Sequence, residues 1–214
     1  MAHFTVIYIH GFASSPNSGK ARYFYEKFAS LGIPVQVPDL NQGDFTHLTL
    51  TRQIHQITDL LPSTPTVLIG SSFGGLTAAW VAEKHPQISR LILLAPAFQM
   101  VRYWHERMTP AQIQQWQAQG TMPVYHYGEG KELPLHYDFL RDLETYDDTQ
   151  LSRPVPTLIL HGEQDEVVPI QVSKTYAQTR PWVNLIPLVD DHSLRQNLPL
   201  MWQEISTFLE LPVQ

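Results

Sequence analysis

The sequence predicts an α/β fold, a mostly parallel doubly wound sheet of about six strands with a helical insertion between two of them. Three observations predict it. Short β-branched apolar runs alternate with segments of helical periodicity along 214 residues. The runs are nearly continuous rather than alternating, the pattern of strands buried on both faces. The rhythm breaks once, between Ala97 and Thr149. Domains run about 50–250 residues, so the chain, 1–214, is read as one domain.

Phe4-Thr5-Val6-Ile7-Tyr8-Ile9 is the first strand. Ser18 to Leu31 follows as a helix, with Ala21, Phe24, Tyr25 and Phe28 at helical spacing and Gly32 as its stop. Ile33 to Val37 is a short strand ending at Pro38-Asp39. Leu48 to Leu61 is helical, with Ile54, Ile57 and Leu61 on one face. Thr66 to Gly70 is a strand, Gly74 to Lys84 a helix rich in small residues, and Ile88 to Ala95 a strand. Beyond the insertion, Thr157 to Leu160 and Val183 to Leu188 are strands. Ile170 to Gln178 and Asn197 to Leu211 are helices.

Within the insertion, Arg102 to Gln119 is Gln-rich and helix-prone. Pro123 to Leu135 reads as a hairpin or irregular loop, and His136 to Tyr146 as a short helix. A connection of roughly fifty residues between sheet strands is far longer than usual. It is read as a lid, about residues 97–150, over the carboxyl edge of the sheet.

Apolar residues make up 43% of the chain, enough for a sizeable core, and charged residues only 16% against a usual roughly 25%. That balance excludes a coiled coil and argues against a chain kept disordered by charge. Acidic side chains outnumber basic ones 20 to 14, giving a net charge of −6. No basic run stands out, so nucleic acid is not an expected partner. Cysteine is absent, which excludes disulfides, thiolate zinc sites and a cysteine nucleophile. Met1-Ala2-His3-Phe4 carries no basic leader region, and no window approaches the roughly 18 apolar residues of a membrane span. The cytoplasm is the expected compartment.

Gly70-Ser71-Ser72-Phe73-Gly74 matches G-x-S-x-G where a strand ends and a helix begins. That context is what a nucleophile elbow needs. The serine occupies a sharp turn, flanking glycines leave room for the backbone, and the hydroxyl projects above the sheet. The alternative is a glycine-rich helix entry that binds phosphate or caps the helix.

A serine needs a base, and the base an orienting partner. Asp165 follows the strand at Thr157 to Leu160, and His192 follows the strand at Val183 to Leu188. Ser72, Asp165 and His192 thus fall in three loops at the carboxyl ends of three strands, where open α/β sheets bind ligands. Glu163 and Glu166 compete with Asp165 for the acid role. Asp190 and Asp191 could instead cap the last helix.

The backbone N–H of Phe73, at the helix start, and that of Phe12, in the His10-to-Ser15 loop after the first strand, are the expected oxyanion donors. Gly11 lets that loop turn close to substrate, and His10 is read as bracing it. Ser14, Ser15 and Ser18 are read as loop and capping residues. The insertion's aromatics Tyr103, Trp104, Trp116, Tyr125, Tyr127, Tyr137 and Phe139 either line a pocket or pack the insertion down, with Trp104, Tyr125 and Tyr127 as the pocket candidates. No H-E-x-x-H, G-x-G-x-x-G or P-loop pattern occurs, so no metal and no cofactor is expected.

These residues resemble an α/β-hydrolase, and specifically the small YqiA-type bacterial esterases. The resemblance rests on His10-Gly11-Phe12-Ala13-Ser14-Ser15-Pro16 with Ser18, Lys20 and Ala21, on Gly70-Ser71-Ser72-Phe73-Gly74-Gly75, on Gly162 to Asp165, and on Asp191-His192. It implies an α/β-hydrolase core and cofactor-free carboxylesterase activity on small acyl esters. Ser72 would be nucleophile, Asp165 acid and His192 base. The same machinery could instead cut a thioester, an amide or a carbon–carbon bond, or persist in a binding protein without turnover.

Overall fold

The computed structural model describes residues 4–212; Met1, Ala2 and His3, read above for a leader, and residues 213–214 lie outside that range. The chain begins β1 (Thr5–Ile9), α1 (Gly19–Ser30), β2 (Val35–Gln36), α2 (Leu50–Asp59), β3 (Thr66–Ser71), α3 (Phe73–Lys84), β4 (Ile88–Leu94). The insertion holds α4 (Met100–Arg107), α5 (Pro110–Gln119), β5 (Thr121–His126), β6 (Lys131–His136) and α6 (Asp138–Leu143), then a 3₁₀ turn at Asp148–Gln150. The chain returns through β7 (Thr157–Gly162), α7 (Ile170–Gln178), β8 (Val183–Leu188) and α8 (Leu198–Phe208).

Six strands form one parallel sheet in the order β2-β1-β3-β4-β7-β8. β3 and β7 are buried at every position, which the continuous apolar runs require. Successive side chains take opposite faces. Ile7, Ile9 and Leu68 pack toward α2 and α3, while Val6, Tyr8, Val67 and Ile69 pack toward α1 and α8. From β1 the chain moves outward to β2, then crosses back to β3 and proceeds the other way. The strand order therefore reverses between β1 and β3, whose carboxyl ends carry the Gly11-Phe12 loop and Ser72. Such a reversal opens a crevice for ligand.

Three expectations need correction. The strand expected from Ile33 to Val37 shrinks to Val35–Gln36, an edge strand bounded by Pro34 and Pro38. Proline has no N–H for a ladder. Tyr25 is not on the buried face of α1: it is 48% exposed, whereas Ala21, Phe24 and Phe28 are buried. Its neighbour Phe24 already fills the stripe, and one residue on turns away by about 100°. Arg102 to Gln119 is two helices. Thr109 caps α5 in a reciprocal capping box with Gln112, and Pro110 opens that helix. A proline there cannot continue α4, because it lacks the N–H that would extend the ladder.

The region read as hairpin or loop is an antiparallel hairpin, β5 with β6, separate from the main sheet. It is tied down at both ends. The Tyr127 N–H donates to Ala13 O at 2.8 Å, and the His136 N–H to Thr46 O at 2.8 Å. Trp116 of α5 is buried, with its indole N–H donating to Leu135 O at 2.9 Å. Among the described residues no helix is long and apolar enough to cross a membrane.

Candidate active site

The turn from β3 into α3 is forced by its glycines. A Cβ on Gly70 would collide with the Gly74 carbonyl, and one on Gly74 would collide with the carbonyls of Ile9 and His10. Only bare backbone lets β1, β3 and α3 meet so closely. Ser72 between them sits at φ 53° and ψ −116°, a conformation that costs an L-residue about 1–3 kcal/mol. Hydrogen bonds hold it there. The Ser72 N–H donates to Leu94 O at 2.8 Å, and Ser72 O accepts from the N–H groups of Gly75 at 2.8 Å and Ala97 at 3.0 Å.

Two further loops converge on this serine. His192 Nε2 lies 3.1 Å from Ser72 Oγ, and its Nδ1 lies 2.7 Å from Asp165 Oδ2. The other Asp165 oxygen, Oδ1, accepts from the N–H groups of Val167 at 2.9 Å and Val168 at 2.7 Å. Burial alone would raise this carboxyl. The close approach of the His161 ring, the hydrogen bond from His192 and the charge it can carry, and the Val168 N–H outweigh it and hold Asp165 well below the usual carboxylate range. The competing carboxylates are elsewhere: among the described residues His192 contacts neither Glu163 nor Glu166. Asp190 accepts from Gln196 N–H at 3.0 Å and Asn197 Nδ2 at 2.9 Å, and Asp191 from Ser193 N–H at 2.8 Å. Both carboxylates thus shape the loop that carries His192.

The β1–α1 loop closes the other side. A Cβ on Gly11 would lie 3.3 Å from Ser71 O and 3.4 Å from Ser72 Cβ, so the loop runs directly against the elbow. Neither the Phe12 nor the Phe73 N–H donates a hydrogen bond within the described residues. Phe73 is the first residue of α3, where orphan N–H groups are expected. His10 braces the loop as expected, its Nε2 accepting from Leu40 N–H at 3.1 Å. Ser18 caps α1 by accepting from Ala21 N–H at 3.3 Å; among the described residues the side chains of Ser14 and Ser15 cap no helix.

A cleft of about 1040 Å³ opens over Ser72 and His192. The insertion supplies much of its wall, including Met100, Trp104, Met108, Met122 and Val124. The insertion's aromatics divide. Tyr103, Trp104, Tyr125 and Tyr127 line the cleft, whereas Trp116 and Phe139 are buried and Tyr137 packs against them. Trp104 also touches Phe12, Trp116 and Phe139 at ring separations of 6.1, 5.4 and 5.6 Å. Tyr125 and Tyr127 stand at the rim, 51% and 79% exposed. Sequence reasoning passed over His161, whose Nε2 is 3.2 Å from Asp165 Oδ2. Spacing along the chain gives no signal of that contact, because His161 lies in a strand and Asp165 in the turn beyond it. Among the described residues no group of three or more His, Asp or Glu side chains clusters as a metal site would.

The profile of an uncharacterised protein family, UPF0227, matches residues 5–210. The chain belongs to that family. Membership agrees with the resemblance to YqiA-type esterases. Mouse mitochondrial palmitoyl-protein thioesterase ABHD10 is 27% identical over 183 residues, covering 78% of this chain and 61% of that protein. The chain therefore spans less than two thirds of that relative's length. Among solved structures, mouse α/β hydrolase domain-containing protein 10 superposes with a TM-score of 0.81 at 23% identity, covering 96% of this chain and 89% of the other. Est1E from Butyrivibrio proteoclasticus, with ferulic acid bound, gives 0.83 at 22%, over 98% and 88%. Monoacylglycerol lipase from Paleococcus ferrophilus gives 0.76 at 15%, over 98% and 97%. The family member described here has the α/β-hydrolase fold.

Proposed function

We propose that this chain is a serine hydrolase that cleaves carboxylic esters through an acyl-enzyme. One observation carries the reading: Ser72 Oγ, His192 and Asp165 form an unbroken hydrogen-bonded sequence, 3.1 and 2.7 Å long, on a strained elbow at the floor of a cleft. His192 takes the Ser72 proton as Oγ attacks the ester carbonyl. Asp165, ionised throughout, keeps the imidazole proton on Nδ1 and stabilises the imidazolium that forms. The free N–H groups of Phe12 and Phe73 receive the tetrahedral oxyanion; each such donor is worth about 2.7–4 kcal/mol in the transition state. His192 then protonates the departing alcohol. Water, deprotonated by the same histidine, attacks the acyl-enzyme and releases the acid. The insertion serves as a cover that excludes water and shapes the pocket, with Trp104, Tyr125 and Tyr127 contacting substrate.

A thioester is the second reading, on two observations. The relative at 27% identity is named a palmitoyl-protein thioesterase. The cleft, at about 1040 Å³ and walled by three methionines, also exceeds what a short acyl ester fills. Methionine is the most adaptable apolar side chain, suited to flexible chains.

The test is a fluorophosphonate label followed by peptide mass mapping, alongside chromogenic esters from acetate to palmitate and the matching acyl thioesters. The label should fall on Ser72 and be absent from Ser72→Ala. Turnover of Ser72→Ala should drop on the order of 10⁴-fold or more. An unlabelled wild type with no turnover on either series would leave a binding protein on a hydrolase scaffold.

A further inference from the structure

Asp165 has a second histidine. His161 lies near the end of β7 and is fully buried. Its Nδ1 is 2.8 Å from Ser173 Oγ on α7. Its Nε2 is 2.8 Å from Val168 O and 3.2 Å from Asp165 Oδ2. Two acceptors face Nε2, so that nitrogen carries the proton, and the Ser173 hydroxyl donates to Nδ1. The Asp165 carboxylate, itself fully buried, thus accepts three hydrogen bonds and has the His161 ring as a close fourth neighbour. Oδ1 takes the N–H groups of Val167 and Val168 and Oδ2 takes His192 at 2.7 Å, while His161 Nε2, its N–H given to Val168 O, stands 3.2 Å from Oδ2.

We propose that His161 is a positioning residue: through Asp165 it sets both the orientation and the basicity of His192. The inference rests on the serine-hydrolase reading. Val167 and Val168 grip one oxygen alone, which leaves the carboxylate able to swing about that grip. His161 limits that swing from the sheet side: its Nε2 stands 3.2 Å from Oδ2 and its N–H anchors the carbonyl of Val168, whose own N–H grips Oδ1, so that Oδ2 is presented to the His192 Nδ1–H. The positive end of the His161 ring, 3.2 Å from Oδ2, also draws part of the negative charge away from His192. A carboxylate that gives all its charge to one imidazolium stabilises it more, and the imidazole then holds its proton to higher pH. Ser173 anchors the far side of the ring. Lys20 on α1, Tyr103 on α4 and Asp191 are further ionisable groups in electrostatic reach of Asp165, and the variants below leave them in place.

The experiment measures kcat, KM and the pH profile of kcat/KM for wild type, His161→Leu, His161→Gln and Ser173→Ala on one p-nitrophenyl ester. Phosphonate titration counts the active sites, and thermal unfolding shows that each variant is folded. In His161→Leu, kcat should fall on the order of ten- to hundredfold with KM little changed. Its acid limb should move to higher pH by about one unit. His161→Gln, whose amide nitrogen reaches the Nε2 position, should return the limb toward wild type. Ser173→Ala should move it the same way as His161→Leu, by less. A residue that merely fills space would lower the active fraction without moving the limb. An unmoved limb in a folded, active His161→Leu overturns the inference. If His161→Leu does not fold, an unmoved limb in folded Ser173→Ala overturns it. A wild type that neither labels nor hydrolyses any ester overturns the hydrolase reading and takes this one with it, an outcome distinct from active variants whose limbs stay put.

Discussion

Gly11 faces Ser72 across the break in strand order, with space between them for no more than a methyl group. A methyl group on Gly11 would stand 3.4 Å from Ser72 Cβ and 3.3 Å from the Ser71 carbonyl oxygen. The loop carrying the Phe12 N–H and the elbow carrying Ser72, the proposed nucleophile, thus lie close against each other. That closeness suits the preorganisation that the proposed oxyanion site needs.

The same close packing makes the glycines unequal. Gly74→Ala would drive a methyl group into the carbonyls of Ile9 and His10, both backbone atoms of the sheet. It should destabilise the fold by about 3 kcal/mol or more. Gly19→Ala, at the start of α1 with nothing within 4 Å of its Cβ, should be neutral or stabilising by up to about 1 kcal/mol. Urea unfolding of both variants measures the difference. Equal midpoints would contradict the packing at the elbow.

Asp165→Asn should stay folded and lose most turnover, on the order of 10⁴-fold, because an amide turns its N–H toward His192 and favours the wrong tautomer. Glu163→Gln and Glu166→Gln should keep most activity, since neither carboxylate touches His192. Initial rates on one ester decide it. A crippled Glu variant beside an active Asp165→Asn would put the acid elsewhere.

The cleft aromatics should separate into two kinds. Trp104 touches Phe12, Trp116 and Phe139 as well as the cleft, so Trp104→Ala should lower Tm and shift the preferred acyl length together. Truncating a well-packed Trp commonly costs about 3–5 kcal/mol; partial exposure here places it toward the lower end. Tyr125→Ala and Tyr127→Ala, at the exposed rim, should raise KM with Tm nearly unchanged. Phosphonate labelling of Ser72 should persist in all three, because the proposed reacting groups lie on the core loops. Loss of labelling in a folded variant would place part of the reacting apparatus in the insertion.

Lys20 gives a pH signature of stability. Burial lowers its ammonium to about 8, although Asp165, Asp190 and Asp191 pull the other way; Arg195 adds to the lowering. A free lysine titrates near 10.4. Between these values the unfolded chain binds more protons than the folded one, so stability contributed by this site rises with pH across that window and is lost as pH falls below it. Urea midpoints at about pH 7, 8, 9 and 10 should therefore climb in wild type relative to Lys20→Met. A constant difference between the two proteins would show that Lys20 titrates normally.

Much of this protein is set by local sequence. Continuous apolar runs have only one economical fate, a sheet covered on both sides, and Thr66-to-Ser71 and Thr157-to-Gly162 take it. Gly70, Gly74 and Gly75 mark the elbow because no side chain fits there. The order Ser72, Asp165, His192 follows from which loops leave the carboxyl ends of parallel strands. What local pattern could not decide is which side chains meet once those loops are folded. Glu163, Asp165 and Glu166 are alike as neighbours on a turn. Only the direction of the chain after Gly162 turns Asp165 inward. Tyr25 shares its spacing with Phe24 yet faces water, because one core stripe has room for one of them. Trp104 and Trp116 read identically, but α5 turns one under the hairpin and α4 sets the other at the cleft. His161 lies within a strand that periodicity marks as merely buried. Its contact with Asp165 exists because the chain reverses after the strand and brings the carboxylate back over it, a consequence of tertiary structure that spacing along the chain does not encode.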